Sequence, residues 1–322
     1  MQVCRLRARL VAVSILAIVA SAIAACGSRT GLFADELEGE AVDAGRDAPV
    51  DARDAGRDAP VDARPMIDSA AAPDVVKNDC PDAAATVVYT VTEDNELLAF
   101  DPAAATFRMV GVLACPAPAG TSPFSMAVDR KGAAWVLFND GNLYRTSAAT
   151  ALCSKTTFVP NQANFGTFGM GFATNDIGPT EALYVAGDGQ GTSATGLGSI
   201  DTTTYALTAI RDFSPPIDRA ELTGTGDGRL FAFYTKAGGV GSWVGQLDKK
   251  TAKIVAENPL PTVEQGRGWA FAFWGGDFYL FTSPDGAGSR VTRFRPSNNS
   301  VVDLAGYPSI IVGAGVSTCA PQ

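Results

Sequence analysis

The chain contains no histidine. That removes His-dependent catalytic triads, the usual imidazole proton shuttle and His-ligated zinc or haem. It has no CxxC spacing, so a thiolate metal site is a poor reading of its cysteines. Its 25 Lys and Arg are interspersed with 34 Asp and Glu, for a formal charge of −9, and no basic stripe is visible. Nucleic acid is therefore not an expected partner. Gly187-Asp188-Gly189-Gln190-Gly191 is followed by no strand-to-helix context with Lys-Ser/Thr, so it reads as a flexible turn and not a phosphate cradle. Large apolar side chains are scarce over residues 30–80, although hydrophobic residues make up 46% of the 322. The core must come from the rest of the chain, which is long enough for one or two domains.

What is present begins with Arg5, Arg7 and Arg9 ahead of an apolar run from Leu10 to Ala24. The run has the length of a signal h-region and is short for a membrane span. It ends in Ile23-Ala24-Ala25-Cys26. This resembles the bacterial lipobox, a branched aliphatic and two small residues before Cys. The resemblance implies a lipoprotein signal peptide over residues 1–25, with Cys26 lipidated and holding the protein to a membrane. An ordinary signal peptide with an incidental Cys, or an uncleaved anchor, are the alternatives. Acyl chains contribute about 0.8 kcal/mol per buried CH₂, so two or three of them anchor firmly. Gly27 stands where Asp resembles an inner-membrane retention signal in Gram-negative lipoproteins. That implies the cell envelope, with the outer membrane favoured over the inner.

Residues 26–79 read as a tether. Asp43 to Arg53, DAGRDAPVDAR, is repeated without change from Asp54 to Arg64. An 11-residue period can signal a helical supercoil, but Gly45, Pro49, Gly56 and Pro60 break a helix and each repeat offers one Val. A calcium-binding Asp repeat is the other alternative, yet each copy pairs its three Asp with two Arg. The composition is that of a solvated, disordered linker. As a coil its mean reach is on the order of 40 Å.

From residue 80 to 322 one pattern recurs. Hairpin-ending strands carry an apolar residue at Phe100, Tyr144, Ile200, Leu247 and Phe294, at intervals of 44, 56, 47 and 47. Such spacing is typical of four-stranded propeller blades. Partner strands precede them at Val88-Tyr89-Thr90, Trp135 to Phe138, Leu183 to Val185, Leu230 to Phe233 and Phe278 to Phe281. Turns with Asp94-Asn95, Asn139-Asp140-Gly141 and Pro284-Asp285-Gly286 join them. Elements rich in small residues come first, around Met126, Met170, Leu222 and Phe271, as crowding at a central axis requires. The last such element, Ile310 to Gly315, has no hairpin after it, and the first hairpin has no such element before it. The expected fold is therefore an all-β propeller of five blades, closed by the C-terminal strand joining the first blade. The 56-residue interval leaves room for an irregular unit.

Leu183-Tyr184-Val185-Ala186, Ser199-Ile200-Asp201-Thr202 and the following Thr/Leu/Ile strand resemble one repeat of the bacterial YVTN-type propellers, a quinoprotein-like group. The resemblance implies the fold and brings no catalytic motif. Lipobox, low-complexity tether and propeller together resemble the plan of Gram-negative envelope lipoproteins.

Cys4 lies in the signal segment, which leaves Cys80, Cys115, Cys153 and Cys319 beside Cys26. An even number in an exported domain suggests two disulfides, and three pairings exist. Cys80 with Cys319 is favoured because both flank the ring-closing seam, and Cys115 with Cys153 follows. The repeat alignment, however, sets Cys153 level with Met109.

Propeller ligands usually meet the mouth of the channel, where loops enter the innermost strands. Those entries carry Phe124, Phe168, Arg219, Glu221, Arg267 and Trp269. Arg forks an anion and Trp stacks, so together they suit a polar ring or a carboxylate. The plainer alternative is aromatics packed between blades and charges solvating the rim. Asp129, Asp176 and Asp227 fall in turns after innermost strands; calcium there is the alternative to ordinary turn chemistry. No cofactor is otherwise expected. Without His, a propeller hydrolase of glycosidase or lactonase type needs several converging acids, and only Glu221 sits at an entry. The expectation is a non-catalytic, monomeric binding or scaffold module whose partner is an envelope protein or a glycan. The alternatives are that hydrolase and an outer-membrane assembly factor, the role of some other propeller lipoproteins.

Overall fold

The computed structural model describes Cys80, residues 86–188 and residues 195–322, all within the unit Pro65–Gln322. The signal segment, Cys26 and the 11-residue repeats lie outside the described residues, as do residues 189–194.

Among the described residues, twenty strands form five four-stranded antiparallel sheets. In chain order, β1 (Val88–Thr92), β2 (Glu96–Asp101) and β3 (Thr106–Val112) belong to blade one. Blade two is β4 (Pro123–Val128), β5 (Ala133–Phe138), β6 (Leu143–Ser147) and β7 (Cys153–Lys155). Blade three is β8 (Phe168–Thr174), β9 (Glu181–Gly187), β10 (Gly196–Ile200) and β11 (Leu207–Arg211). Blade four is β12 (Ala220–Gly224), β13 (Leu230–Tyr234), β14 (Ser242–Leu247) and β15 (Ile254–Leu260). Blade five is β16 (Trp269–Trp274), β17 (Asp277–Thr282), β18 (Ser289–Arg295) and β19 (Ser300–Tyr307). The last strand, β20 (Ile311–Gly315), pairs with β1 and completes blade one as its innermost strand. The chain is a five-bladed β-propeller, and its ring closes as the unpaired ends of the repeat required. The long interval before Ile200 hides no extra blade. Its surplus falls between β8 and β10, part of it in the turn at 175–180.

The blades are held together by five separate cores, one at each seam. Middle strands are buried on both faces, so they read as continuous apolar runs instead of alternating ones. Along β13, Phe231 and Phe233 enter the core shared with blade five, while Leu230, Ala232 and Tyr234 enter that shared with blade three. Along β17, Phe278 and Leu280 face blade four, and Tyr279 and Phe281 face blade one. Each fully buried phenylalanine contributes roughly 2–3 kcal/mol of transfer free energy. The outermost strands keep one face in water, and β3 and β15 are largely exposed.

One turn recurs in all five blades. Four or five residues past the end of each third strand, Ala105, Ala151, Tyr205, Ala252 and Asn299 adopt φ between 53° and 60°. In three of them the side chain of Asp101, Asp201 or Asp248 accepts backbone N–H bonds that fix the turn. This is Asx-turn chemistry, and it is why Asp follows the apolar residue in these repeats.

Two disulfides are present among the described residues. Cys80–Cys319 has a Cα–Cα distance of 5.6 Å and a sequence separation of 239; Cys115–Cys153 has 4.8 Å and 38. Cys115 lies past the end of β3 and reaches across the seam to β7 of the next blade. A bond between blades needs no equivalence in the repeat. On the chain-entropy estimate the two crosslinks are worth about 5 and about 4 kcal/mol.

Candidate functional site

Arg219, Glu221 and Trp269 come together at the end of the channel where the innermost strands begin. Arg219 precedes β12, Trp269 opens β16, and the Arg219 guanidinium lies 4.0 Å from the centre of the Trp269 ring. Its Nε donates to Gln265 Oε1 at 2.9 Å and its Nη2 to the Gly266 carbonyl at 2.9 Å. Gln265 is buried and donates in turn to the Phe233 carbonyl. The fork and the stacking face expected for a ligand are thus engaged with the protein itself. Burial lowers the Arg219 pKa, and the nearby charges of Asp188 and Asp218 oppose this.

Glu221 lies on β12 and is 1% exposed. Ser125 Oγ donates to its Oε2 at 2.9 Å, and the Met170 N–H donates as well. Burial holds this carboxyl well above the usual carboxylate range. The Ser125 and Met170 hydrogen bonds pull the other way, and the Asp188 charge pushes it up further. Glu221 therefore keeps its proton in the folded state at a pH where the unfolded chain has released it. Folded protein then binds more protons, so stability falls as pH rises from about 4.5 towards the folded value, at up to about 1.4 kcal/mol per pH unit. Gln keeps the hydrogen bonds and cannot titrate. Glu221→Gln is expected to flatten this descent and to melt higher than the parent at pH 8. Parallel melting curves for the two proteins between pH 5 and pH 8 would refute the protonated assignment.

The contacts at this end cross the axis. Phe124 of blade two meets Trp269 of blade five edge to face, with ring centres 6.1 Å apart. Ser125 of blade two reaches Glu221 of blade four. Neither pair of blades is adjacent, so these side chains close the channel.

Phe168 and Arg267 are not part of this cluster. Phe168 is wholly buried between blades two and three, with its ring 6.0 Å from that of Phe158, so it packs a seam and faces no ligand. Strand alternation explains this, because a side chain one residue into β8 points at the neighbouring blade and not at the axis. Arg267 lies on the rim, largely exposed, and pairs with Glu93 at 2.9 Å. Trp269 Nε1 is buried without a hydrogen-bond partner among the described residues.

The opposite end of the channel is closed by the segment after β20. Thr318 is 3% exposed. It accepts from Arg130 Nε of blade two at 3.1 Å and donates to Glu181 Oε2 of blade three at 2.8 Å. Its carbonyl rests against Gly226 of blade four, and Pro321 accepts from the Gly275 N–H of blade five at 2.8 Å. The segment also carries Cys319 and so ties the closure to Cys80.

The three turn aspartates are engaged by protein donors. Asp129 accepts from the N–H groups of Lys131 and Ala133 and from Trp135 Nε1 at 3.2 Å. Asp176 pairs with Lys249 and Lys250 at 2.7 and 2.8 Å, which lowers its pKa to about 2. Asp227 pairs with Arg229 at 2.8 Å. Among the described residues no three Cys, Asp or Glu side chains gather in a metal-binding arrangement.

A second concavity was not foreseen. It opens between blades two and three at the C-terminal end of the channel and has a volume of about 610 Å³. Trp135 and Phe172 form its floor, with rings 6.2 Å apart, and Tyr205 stands 5.9 Å from Trp135. Lys131 and Arg145 stand on its rim. Its residues come from several separate strands and turns of two repeats, so no stretch of sequence announces it.

No known protein-family model matches the chain, and no curated protein matches its sequence. Among solved structures it is similar to a protein of unknown function from Bacteroides caccae, at 15% identity and a TM-score of 0.41, over 71% of this chain and 85% of that one. It is also similar to the hydrazine synthase of Kuenenia stuttgartiensis, at 14% identity and a TM-score of 0.39, over 68% of this chain and 67% of that one.

Proposed function

We propose that the protein is a lipid-anchored envelope module that binds a partner or a glycan on the outside of a closed propeller. Lipidation at Cys26 and the tether to residue 79 supply the anchor and the reach in this reading. The observation that carries it is the closure of the channel at both ends, by Phe124, Trp269, Ser125 and Glu221 at one and by Thr318 and its neighbours at the other. A substrate has no open passage to Glu221, and the Arg219 fork is already occupied. Recognition is left to the rims and the grooves between blades.

The test uses the full chain in membranes. Wild-type protein is expected to incorporate an alkyne fatty acid and to sediment with the envelope. Cys26→Ala is expected to lose both while keeping the same melting midpoint. Acyl label retained on Cys26→Ala would dispose of the anchor. For binding, the protein is titrated with envelope polysaccharide fractions, with calcium and EDTA as controls. A ligand at about a hundred times its Kd stabilises by about 2.7 kcal/mol, or roughly 5–10 °C in a domain of this size. No shift with any fraction, together with no protein crosslinked in the intact envelope, would refute the binding role.

A further inference from the structure

The groove between blades two and three differs from the channel mouth in one respect. Two of its three cations are not consumed by the protein; the third, Arg130, is bonded inward. Arg145 and Lys131 are both exposed, and neither forms an ion pair among the described residues. The Arg145 guanidinium is positioned 5.8 Å from the centre of the Trp135 ring. Placed by an aromatic ring and not by a carboxylate, it keeps its N–H edges for a ligand.

Of the acids nearby, Asp129 and Glu181 are bonded inward and Asp201 is exposed. Asp129 accepts two backbone N–H bonds and the Trp135 indole. Glu181 accepts the Arg130 N–H at 2.7 Å and the Thr318 hydroxyl. Asp201 on the adjoining turn accepts the Thr203 and Thr204 N–H groups. In a chain of net charge −9, the groove lining still sets three cations, Arg130, Lys131 and Arg145, against two acids, Asp129 and Glu181.

We propose that this groove binds the carboxylate-bearing sugar units of an acidic polysaccharide. The inference rests on the reading of the domain as a binding module and supplies the ligand class. The volume of about 610 Å³ falls in the ordinary range for small-molecule sites. Tyr205, half-buried and backed by the buried Trp135 ring 5.9 Å away, offers an apolar surface to the C–H face of a pyranose ring. Arg145 offers a planar fork to its carboxylate, and Lys131 a second positive charge. The exposed Thr202 and Thr203 side chains line the far rim, where ring hydroxyls need donors and acceptors.

The full-length protein is titrated with trigalacturonate by calorimetry, with Trp fluorescence as a second readout because Trp135 lies in the floor. Galactotriose is the neutral control, acetate the lone carboxylate, and a tetra-aspartate peptide the acidic non-sugar. The uronate is expected to bind more tightly than all three and to weaken with added salt. Arg145→Ala should weaken it about ten-fold or more. Arg145→Lys should fall between, because it keeps the charge and loses the fork. Tyr205→Ala should weaken uronate and galactotriose alike. Equal affinity for galactotriose or for tetra-aspartate would overturn the proposal, as would unchanged binding by Arg145→Ala. So would absence of heat and fluorescence change up to about 10 mM uronate. If an envelope polysaccharide shifts the melting point of wild type and of Arg145→Ala equally, this groove is the wrong site and the binding role stands.

Discussion

Replacing Arg130 with alanine is expected to cost the propeller about 3–5 kcal/mol, the usual cost of breaking one side of a buried charged network. Arg130 sits in the turn after β4 and is 9% exposed. Its side chain donates to Thr174 Oγ1 at 2.9 Å, to Thr318 Oγ1 at 3.1 Å and to the Pro179 carbonyl. Its backbone N–H donates to Glu181 Oε1, and its Nε lies 3.9 Å from Glu181 Oε2. One side chain thus joins blade two to blade three and both to the C-terminal segment. Alanine leaves Thr174 Oγ1, Thr318 Oγ1 and the Pro179 carbonyl without this donor and Glu181 without its cation, while Glu181 keeps the backbone N–H of residue 130 and the Thr318 hydroxyl. The measurement is urea unfolding of the full chain with disulfides intact. Burial already holds the Glu181 pKa above its ordinary value, so in Arg130→Ala this carboxyl should take up a proton more readily still. Glu181→Gln in the Arg130→Ala background should therefore recover part of the loss. An Arg130→Ala protein within about 1 kcal/mol of wild type would show that the network contributes nothing net, the outcome known for some buried ion pairs that are solvated in other ways.

The second large effect is expected at Gly169. A Cβ added there falls 2.1 Å from the Ala220 carbonyl oxygen and 2.8 Å from Glu221 Cα. Both obstacles are backbone atoms of the neighbouring innermost strand, so no side chain can swing aside. Overpacking costs 1–3 kcal/mol where side chains yield; here Gly169→Ala is expected to lose about 3 kcal/mol or more, and Gly169→Val to give no folded domain. Gly306→Ala is the control. Its added Cβ meets only the Ser289 carbonyl at 3.5 Å, an ordinary contact, and should shift stability by less than about 0.5 kcal/mol. Thermal melts followed by circular dichroism separate the three. Equal midpoints for Gly169→Ala and Gly306→Ala would mean that β8 and β12 do not approach as closely as described.

The architecture was legible because each blade repeats the same local chemistry. The positions of Phe100, Tyr144, Ile200, Leu247 and Phe294 fall on the third strand of successive blades, and the small residues around Met170 and Leu222 fall on innermost strands. Strands such as β3 and β15 were harder to read. Their residues face water on one side, and the apolar pattern fades there. The candidate site was legible only as a location. Sequence places Arg219, Glu221 and Trp269 at strand entries, but not that Arg219 would stack on Trp269 and spend its donors on Gln265 and Gly266. Phe168 looked equivalent to Phe124 by its place in the repeat, yet one packs a seam and the other spans the axis. The groove of Trp135, Arg145 and Tyr205 and the closure by Thr318 depend on residues far apart in the chain. They are consequences of ring closure and carry no local signature.

The pairing of β20 with β1 sets a clock on the molecule. Tyr89 finds its partner only when Gly315 has been made, and Thr90 waits for Ala314. Until then the first blade is a three-stranded sheet with an open edge, and the cores it shares with blades two and five lack Val312 and Ile311. Blades two to four can pack as they emerge, but the ring cannot lock from its N-terminal side. A nascent chain of this protein therefore remains an open arc until residues 311–315 are added. A pairing between such distant residues is also a slow one to find. The pairing also means that premature termination anywhere before residue 311 leaves an exposed strand edge and not a smaller propeller.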